Sequence, residues 1–383
     1  MKHNWKYKRL EDISNINMGQ SPNSSFYNEN GEGLPFFQGC ADFGEKYPVT
    51  KKYCRLPLKT AEADDILFSV RAPIGTMNYA KEKCCIGRGL CSINTLSAVL
   101  QNYLFYVLDF SKPKIIEQGR GSTFKSVGKD IIANHIIPVP PLDVQKQIIA
   151  ELDKINEIIS DCNEAIRNLD NLATSLFYDY FSDAIINHNK HKISLLNNLC
   201  TVTSSNRIFA DEYCENGIPF YRGKEVSELS RGENISTELY ISKERYELLK
   251  TSNNIPQMND ILITAVGTIG NIWIVNSTKP FYFKDGNIIW LKDIDYTLIN
   301  SVYFKFFLNK LIQDEKEKMA NGSAYKALTI QKLKKINVIL PPPALQQKFA
   351  ACIEQIDQQK KGVEKTIANM QTLLDSRMDY WFN

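Results

Sequence analysis

Two stretches of this 383-residue chain gather the residue types that hold phosphates and base edges. Gly119-Arg120-Gly121-Ser122-Thr123-Phe124-Lys125 and Ala320-Asn321-Gly322-Ser323-Ala324-Tyr325-Lys326 each place a glycine, a hydroxyl and a cation close together. Lys, Ser and backbone N–H groups contact phosphate, whereas Arg suits guanine and Asn or Gln suits adenine in a major groove. The candidate contacts are therefore Arg120, Ser122 and Lys125 in the first stretch and Asn321, Ser323 and Lys326 in the second. Arg71, Arg88, Arg222 and Lys224 are weaker candidates. A solvated turn before a helix accounts for any one of the loop residues equally well, and the other cations could be surface charges lying on their own aliphatic stems.

Catalytic signatures are missing by inspection. Gly121 to Lys129 is rich in glycine, but a P-loop needs glycine where Thr123 stands and Ser or Thr where Asp130 stands. No Asn-Pro-Pro-aromatic run of an amino-methyltransferase occurs, since the Pro-Pro pairs follow Val139 and Leu340. His3, His135, His188 and His191 have no metal-binding spacing, and carboxylates abound without a pattern that would pair them. No metal, cofactor or catalytic residue is expected. The nine cysteines form no C-x-x-C, so free thiols in a reducing compartment are expected.

A net charge of +3 decides nothing about nucleic acid, because phosphate binding rests on local clusters. With 43% apolar and 23% charged residues the chain reads as globular, and its length suits two or three domains. The basic stretch Met1 to Arg9 is followed by no apolar segment, and no run reaches membrane-spanning length, so a cytoplasmic protein is expected.

The elements that must position these residues occur twice, with a period of about 200 residues. Gly33-Leu34-Pro35-Phe36-Phe37-Gln38-Gly39 returns as Gly217-Ile218-Pro219-Phe220-Tyr221-Arg222-Gly223. Asp65-Ile66-Leu67-Phe68, ending at Ile74-Gly75, returns as Asp260-Ile261-Leu262-Ile263, ending at Ile269-Gly270. Then come the two Gly-Ser stretches, and last Pro140-Pro141-Leu142-Asp143-Val144-Gln145 against Pro341-Pro342-Pro343-Ala344-Leu345-Gln346. Offsets grow from 184 to 195 to 201 residues while order is kept, so loops differ on a retained framework. Short Ile-, Val- and Phe-rich runs punctuated by Gly, Pro and Asn predict strands, as at Asp64 to Val70 and Ile272 to Val275. Leu100 to Phe110 and Tyr303 to Leu311 read as helices, which makes each half a mixed α/β domain.

After each Pro-Pro pair the pattern changes to unbroken 4,3 spacing. Ile148, Leu152, Ile155, Ile159, Cys162, Ile166, Leu169, Ala173, Leu176 and Tyr180 make five heptads of a coiled-coil seam. The second copy reads Phe349, Ile353, Ile356, Lys360, Val363, Ile367, Met370, Leu374, Arg377 and Trp381. Two copied helices in one chain bury their stripes most economically against each other. Antiparallel pairing, with Ile159 and Cys162 opposite Val363 and Ile367, would give a pseudo-two-fold axis and a spacer rod between two heads. Lys360 and Arg377, lying in the seam, are expected to snorkel into water. The expected organisation is a recognition domain over 1–141, a helix over 142–190, a second domain over 191–341 and a second helix over 342–383.

The chain resembles the specificity subunit of type I restriction-modification enzymes across essentially its whole length. The resemblance is carried by Gln145-Lys146-Gln147-Ile148 after Pro-Pro, Ser175-Leu176-Phe177-Tyr178-Asp179-Tyr180-Phe181, Asp65 to Gly75 and Cys85-Ile86-Gly87-Arg88-Gly89-Leu90. It implies that each recognition domain reads one half of a split, asymmetric site in double-stranded DNA. It also implies that the helices set the gap and dock two methyltransferase subunits, and that restriction subunits can join. In the second half Ala265-Val266-Gly267-Thr268 replaces Arg71-Ala72-Pro73, and the Arg88 phrase has no clear counterpart. Different half-site sequences follow. A stand-alone metal-dependent endonuclease and a coiled-coil adaptor indifferent to DNA are the alternatives.

Overall fold

In a computed structural model of the chain, the residues described are 5–120, 125–186, 191–320 and 328–383. They divide into two compact units, Met1–Glu164 with Val363–Asn383, and Ala165–Gly362.

The first unit is built on an antiparallel sheet of β1 (Ser14–Met18), β2 (Ile66–Ser69), β3 (Met77–Tyr79) and β4 (Leu90–Thr95), in the order β1-β4-β2-β3. In the second, β5 (Thr201–Thr203), β6 (Ile261–Thr264), β7 (Ile272–Ile274) and β8 (Ile288–Lys292) take the same order, β5-β8-β6-β7. The apolar runs of β2 and β6 are buried along their whole length, as central strands covered on both faces must be. Each is entered through a left-handed residue, Asp64 at φ 66° and Asn259 at φ 71°, types that tolerate that region. The internal repeat is thus a repeat of topology.

A helix follows each sheet: α1 (Gln101–Glu117) in the first unit and α3 (Ser301–Ala320) in the second. Both are anchored alike. The buried Tyr103 hydroxyl donates to the Pro138 carbonyl and the Tyr303 hydroxyl to the Ile339 carbonyl, each at 2.9 Å.

The Pro-Pro pairs precede α2 (Leu142–Ile186) and α4 (Pro343–Phe382). Proline suits a first helical turn because its missing N–H would have no partner there. The glutamine that follows is a clamp. Gln145, fully buried, accepts from the Leu100 N–H at 2.9 Å and donates to the carbonyls of Ala98 and Pro140. Gln346 accepts from the Asn300 N–H at 2.7 Å and donates to Leu298 and Pro341. One buried amide therefore satisfies a loop, a strand end and a helix start in both repeats.

In the second unit α2 and α4 run antiparallel: Asp170 meets Lys360 at 2.6 Å, and further along α2 Tyr180 meets Cys352, nearer the start of α4, at 3.7 Å. Phe349, Ile353 and Ile356 are buried there with Ala173, Phe177 and Phe181. In the first unit Ile148, Leu152 and Ile155 share a core with Leu374, Met378, Trp381 and Phe382. Ile159, Cys162, Ile166, Leu169, Val363, Ile367 and Met370 are half-buried.

Two expectations change. The buried stripe does not keep to Leu176 and Tyr180 but moves to Phe177 and Phe181, because a straight helix drifts about 20° per heptad against a 3.5-residue repeat. Lys360 and Arg377 do not simply reach for water. Lys360 pairs with Asp170, while Arg377 grips Glu151, which also accepts from the Trp381 indole at 2.9 Å. A half-buried cation is cheaper to keep when a carboxylate of the neighbouring helix meets it.

Candidate nucleic-acid interface

In the first unit four loops far apart in sequence are laced by backbone hydrogen bonds. Phe36 to Phe37 runs parallel to Cys85 to Ile86, so both segments leave the sheet at the same end. The Gly87 N–H donates to the Phe37 carbonyl at 2.8 Å, and the Gly89 N–H to that of Gln38 at 3.1 Å. Val70 N–H then donates to Gly89, and Val127 N–H to Val70, each at 2.9 Å. On the other flank the Phe36 N–H donates to the Lys52 carbonyl at 2.9 Å. The approach needs Gly89, where a Cβ would sit 2.4 Å from the Gln38 carbonyl oxygen, and is tight at Gly87, where one would sit 3.0 Å from the Gln38 Cα.

This lacing forms a rim around a cleft of about 530 Å³ lined by Gln38, Asp42, Lys51, Lys52, Arg71 and Arg88 among others. Lys125 borders a second cleft with Arg71, and Arg71 and Arg120 both form bridges to Ser126. Among the described residues, Lys51, Lys52, Arg71, Arg88 and Lys125 are exposed and in no ion pair, whereas Arg120 reaches Asp130 at 3.3 Å while 81% exposed. Asp42, the one carboxylate of the first cleft, is turned to the Gln38 N–H at 3.2 Å. Local potential at this rim is positive, although the whole chain is near neutral.

The second unit repeats three of these five bonds with other side chains. Phe220 N–H donates to Leu239, Lys284 N–H to Tyr221, and Ala265 N–H to Asn287, at 2.9, 2.9 and 2.8 Å. Residues Lys284 to Asn287 therefore stand where Gly87 to Gly89 stand. The Arg88 phrase has a counterpart after all, hidden in the sequence by an extra residue and a complete change of side chains. Arg222 occupies the place of Gln38, Leu239 that of Lys52, and Val266 that of Arg71.

Arg207, Arg222 and Lys224 are engaged here, whereas Lys284 is half-buried and, among the described residues, in no ion pair. Arg222 grips the fully buried Glu225 at 2.7 Å. Burial pushes the Glu225 carboxyl up, but the guanidinium and the Arg222 N–H outweigh it and hold it below the usual range. Lys224 lies 3.9 Å from Glu228, and Arg207 pairs with Asp285 at 3.0 Å. Ser122, Asn321, Ser323 and Lys326 lie outside the described residues.

Gln38, Lys51 and Lys52 were not singled out in the sequence. Gln38 was findable, as the place where two matching phrases change from Gln to Arg. The lysines carried no signal, because they reach the rim through the pairing of Tyr53 to Cys54 with Leu34 to Pro35, extended by the Phe36 to Lys52 bond.

Among the described residues no group of three or more His, Cys, Asp or Glu is placed to hold a metal ion, and no helix is long and apolar enough to cross a membrane. All nine cysteines are free thiols.

The family model for the type I restriction modification DNA specificity domain matches twice, over residues 2–169 and 189–370. The chain belongs to this family of type I specificity subunits. The putative type I restriction enzyme MjaX specificity subunit of Methanocaldococcus jannaschii is 46% identical over 158 residues, 40% of this chain and 37% of that protein. A putative type I restriction enzyme specificity subunit of Haemophilus influenzae is 23% identical over 364 residues, 92% of this chain and 87% of its own. Two solved structures share the fold. One is the S subunit of the type I restriction-modification system from M. genitalium, with a TM-score of 0.53, 17% identity and coverage of 100% of this chain and 97% of that one. The other comes from work on complex assembly and conformational transition of the type I R-M system, with a TM-score of 0.56, 19% identity and coverage of 98% and 96%. A type I specificity subunit with two target-recognition domains is the outcome, and the mixed α/β repeat with long helices is its fold.

Proposed function

We propose that each unit reads one half of a bipartite, asymmetric site in double-stranded DNA, within a complex containing two methyltransferase subunits and open to restriction subunits. The observation that carries this reading is the rim itself: three of its backbone bonds recur in the second unit, presenting unlike side chains. A shared framework with different donors and acceptors suits two readers of different sequences. In the first half Arg71, Arg88, Arg120, Ser122 and Lys125 are the proposed contacts. In the second they are Lys224, Asn321, Ser323 and Lys326, with Arg222 held back by Glu225. The seams of α2 and α4 set the gap, and their outer faces dock the partners. Recognition domains over 1–141 and 191–341, with helices over 142–190 and 342–383, are the working division.

The chain supplies specificity and no chemistry of its own. The test is to purify it alone and with its methyltransferase, and to assay cleavage, methylation and mass. Expected are no cleavage or methylation by the chain alone, and two methyltransferase copies per chain in the active complex. One copy per chain, or cleavage by the chain with a divalent metal, overturns the reading.

A further inference from the structure

We propose that Gln38 and Arg88 form the base-reading couple of the first unit, with Lys51 and Lys52 as the phosphate clamp beside it; this rests on the half-site reading above. The geometry points to the pair for three reasons. Gln38 and Arg88 are fixed side by side, because the Gly87 and Gly89 N–H groups are bonded to Phe37 and Gln38 and Gly89 leaves no room for a side chain. Both side chains are exposed at the mouth of the same cleft, and among the described residues neither head group is spent on a protein partner. The third reason is the second unit, where the equivalent places hold Arg222, closed on Glu225, and Asp285, closed on Arg207.

The chemistry of the couple is specific. A guanidinium matches O6 and N7 of guanine in two parallel bonds, and a carboxamide matches N6 and N7 of adenine. Neighbouring strands lie about 4.8 Å apart and base pairs about 3.4 Å, so two side chains held on paired backbones reach neighbouring base pairs. Lys51 and Lys52 bear only point charges on flexible stems and neutralise phosphates without reading sequence. The first half-site is therefore expected to contain a guanine and an adenine in adjacent or next-adjacent base pairs, on either strand.

The experiment selects bound duplexes from a randomised library with the full chain assembled with its methyltransferase partner, for the natural protein and for Arg88→Lys, Gln38→Ala and Lys51→Ala/Lys52→Ala. Arg88→Lys keeps the charge but loses the fork, and is expected to lose ~5- to 100-fold preference for guanine at one position while the salt dependence stays. Gln38→Ala is expected to relax a neighbouring position selected as adenine. The double lysine variant should weaken all duplexes alike and lower the salt slope by about two. If the natural assembly selects no sequence, the half-site reading falls and this inference with it. If the natural assembly selects a site and the Arg88 and Gln38 variants keep the same one, the inference falls alone. If the lysine variant changes the selected bases instead of the salt slope, the assigned division of labour is wrong.

Discussion

At the scale of the residue, a single carboxyl shows how the framework and the rim differ in tolerance. Asp260 opens β6, accepts from the Gln257 N–H and the Trp290 indole N–H, each at 2.8 Å, and is buried. Burial pushes its pKa up from 3.8 to about 6, against the pull of the two donors. A folded-state value raised above the unfolded one means that the folded state favours the proton. The associated stability is full below about pH 3.8 and is lost as pH rises through about 6, on the order of 2–3 kcal/mol in all. Asp260→Asn keeps an oxygen for both donors and removes the ionisation. Its stability relative to the natural chain, followed by hydrogen exchange in β6 and β8, is expected to improve between pH 4 and 7. A constant difference across that range would show that Asp260 does not titrate there. The equivalent Asp65 likewise accepts from the N–H three residues before it, that of Glu62, but takes its side-chain donor from Asn94, so the repeat preserves the carboxylate and its backbone partner while changing the second donor.

Individual elements were legible to different depths. Strands β2 and β7, helices α1 and α3, and the starts of α2 and α4 follow from apolar runs, turn residues and proline in the local sequence. The end of α2 did not, since a strict heptad count runs one residue behind a straight helix by its last turns. There Phe181 packs on Tyr303 with ring centroids 4.6 Å apart, and the aromatic-rich Ser175 to Phe181 phrase turns out to be core as well as seam. The rim was legible only in part: Arg71 and Arg88 stood out as cations, but the ladder joins residues 38, 89, 70 and 127 through backbone bonds that no local pattern records. The glutamine clamps lie between these extremes: visible as a motif, with a role that only burial reveals. Gln145→Ala and Gln346→Ala each leave a buried N–H and two carbonyls without their partner, and each is expected to destabilise its own unit by about 2–4 kcal/mol. Exchange rates of amides in one unit should rise with each variant; a variant that leaves its own unit unaffected would remove the clamp from the account.

The helices also carry a prediction about spacing. A heptad inserted after both Leu169 and Met370 keeps the seam in register and adds about 10 Å of helix. At about 3.4 Å per base pair, the gap between half-sites is expected to lengthen by at most about three base pairs, with the bases of each half unchanged. An unchanged gap, or altered bases within a half, would show that α2 and α4 are not the ruler.

For the molecule as a whole, the repeat is the main source of information. One framework is used twice: the same strand order, the same tyrosine anchors and the same glutamine clamps recur in both units. What differs is the rim, where Lys51, Lys52, Arg71 and Arg88 are unpaired in the first unit and Arg222 is closed on Glu225 in the second. A framework kept in both halves with a rim that differs between them is the arrangement expected of a reader whose two halves meet different bases. The most direct measurement is a genome-wide map of methylated bases in cells that carry this chain with its methyltransferase and no other such system. The account predicts a single motif of two unlike half-sites separated by a gap of fixed length and unspecified sequence. A continuous motif, or two identical half-sites in symmetric arrangement, would contradict it.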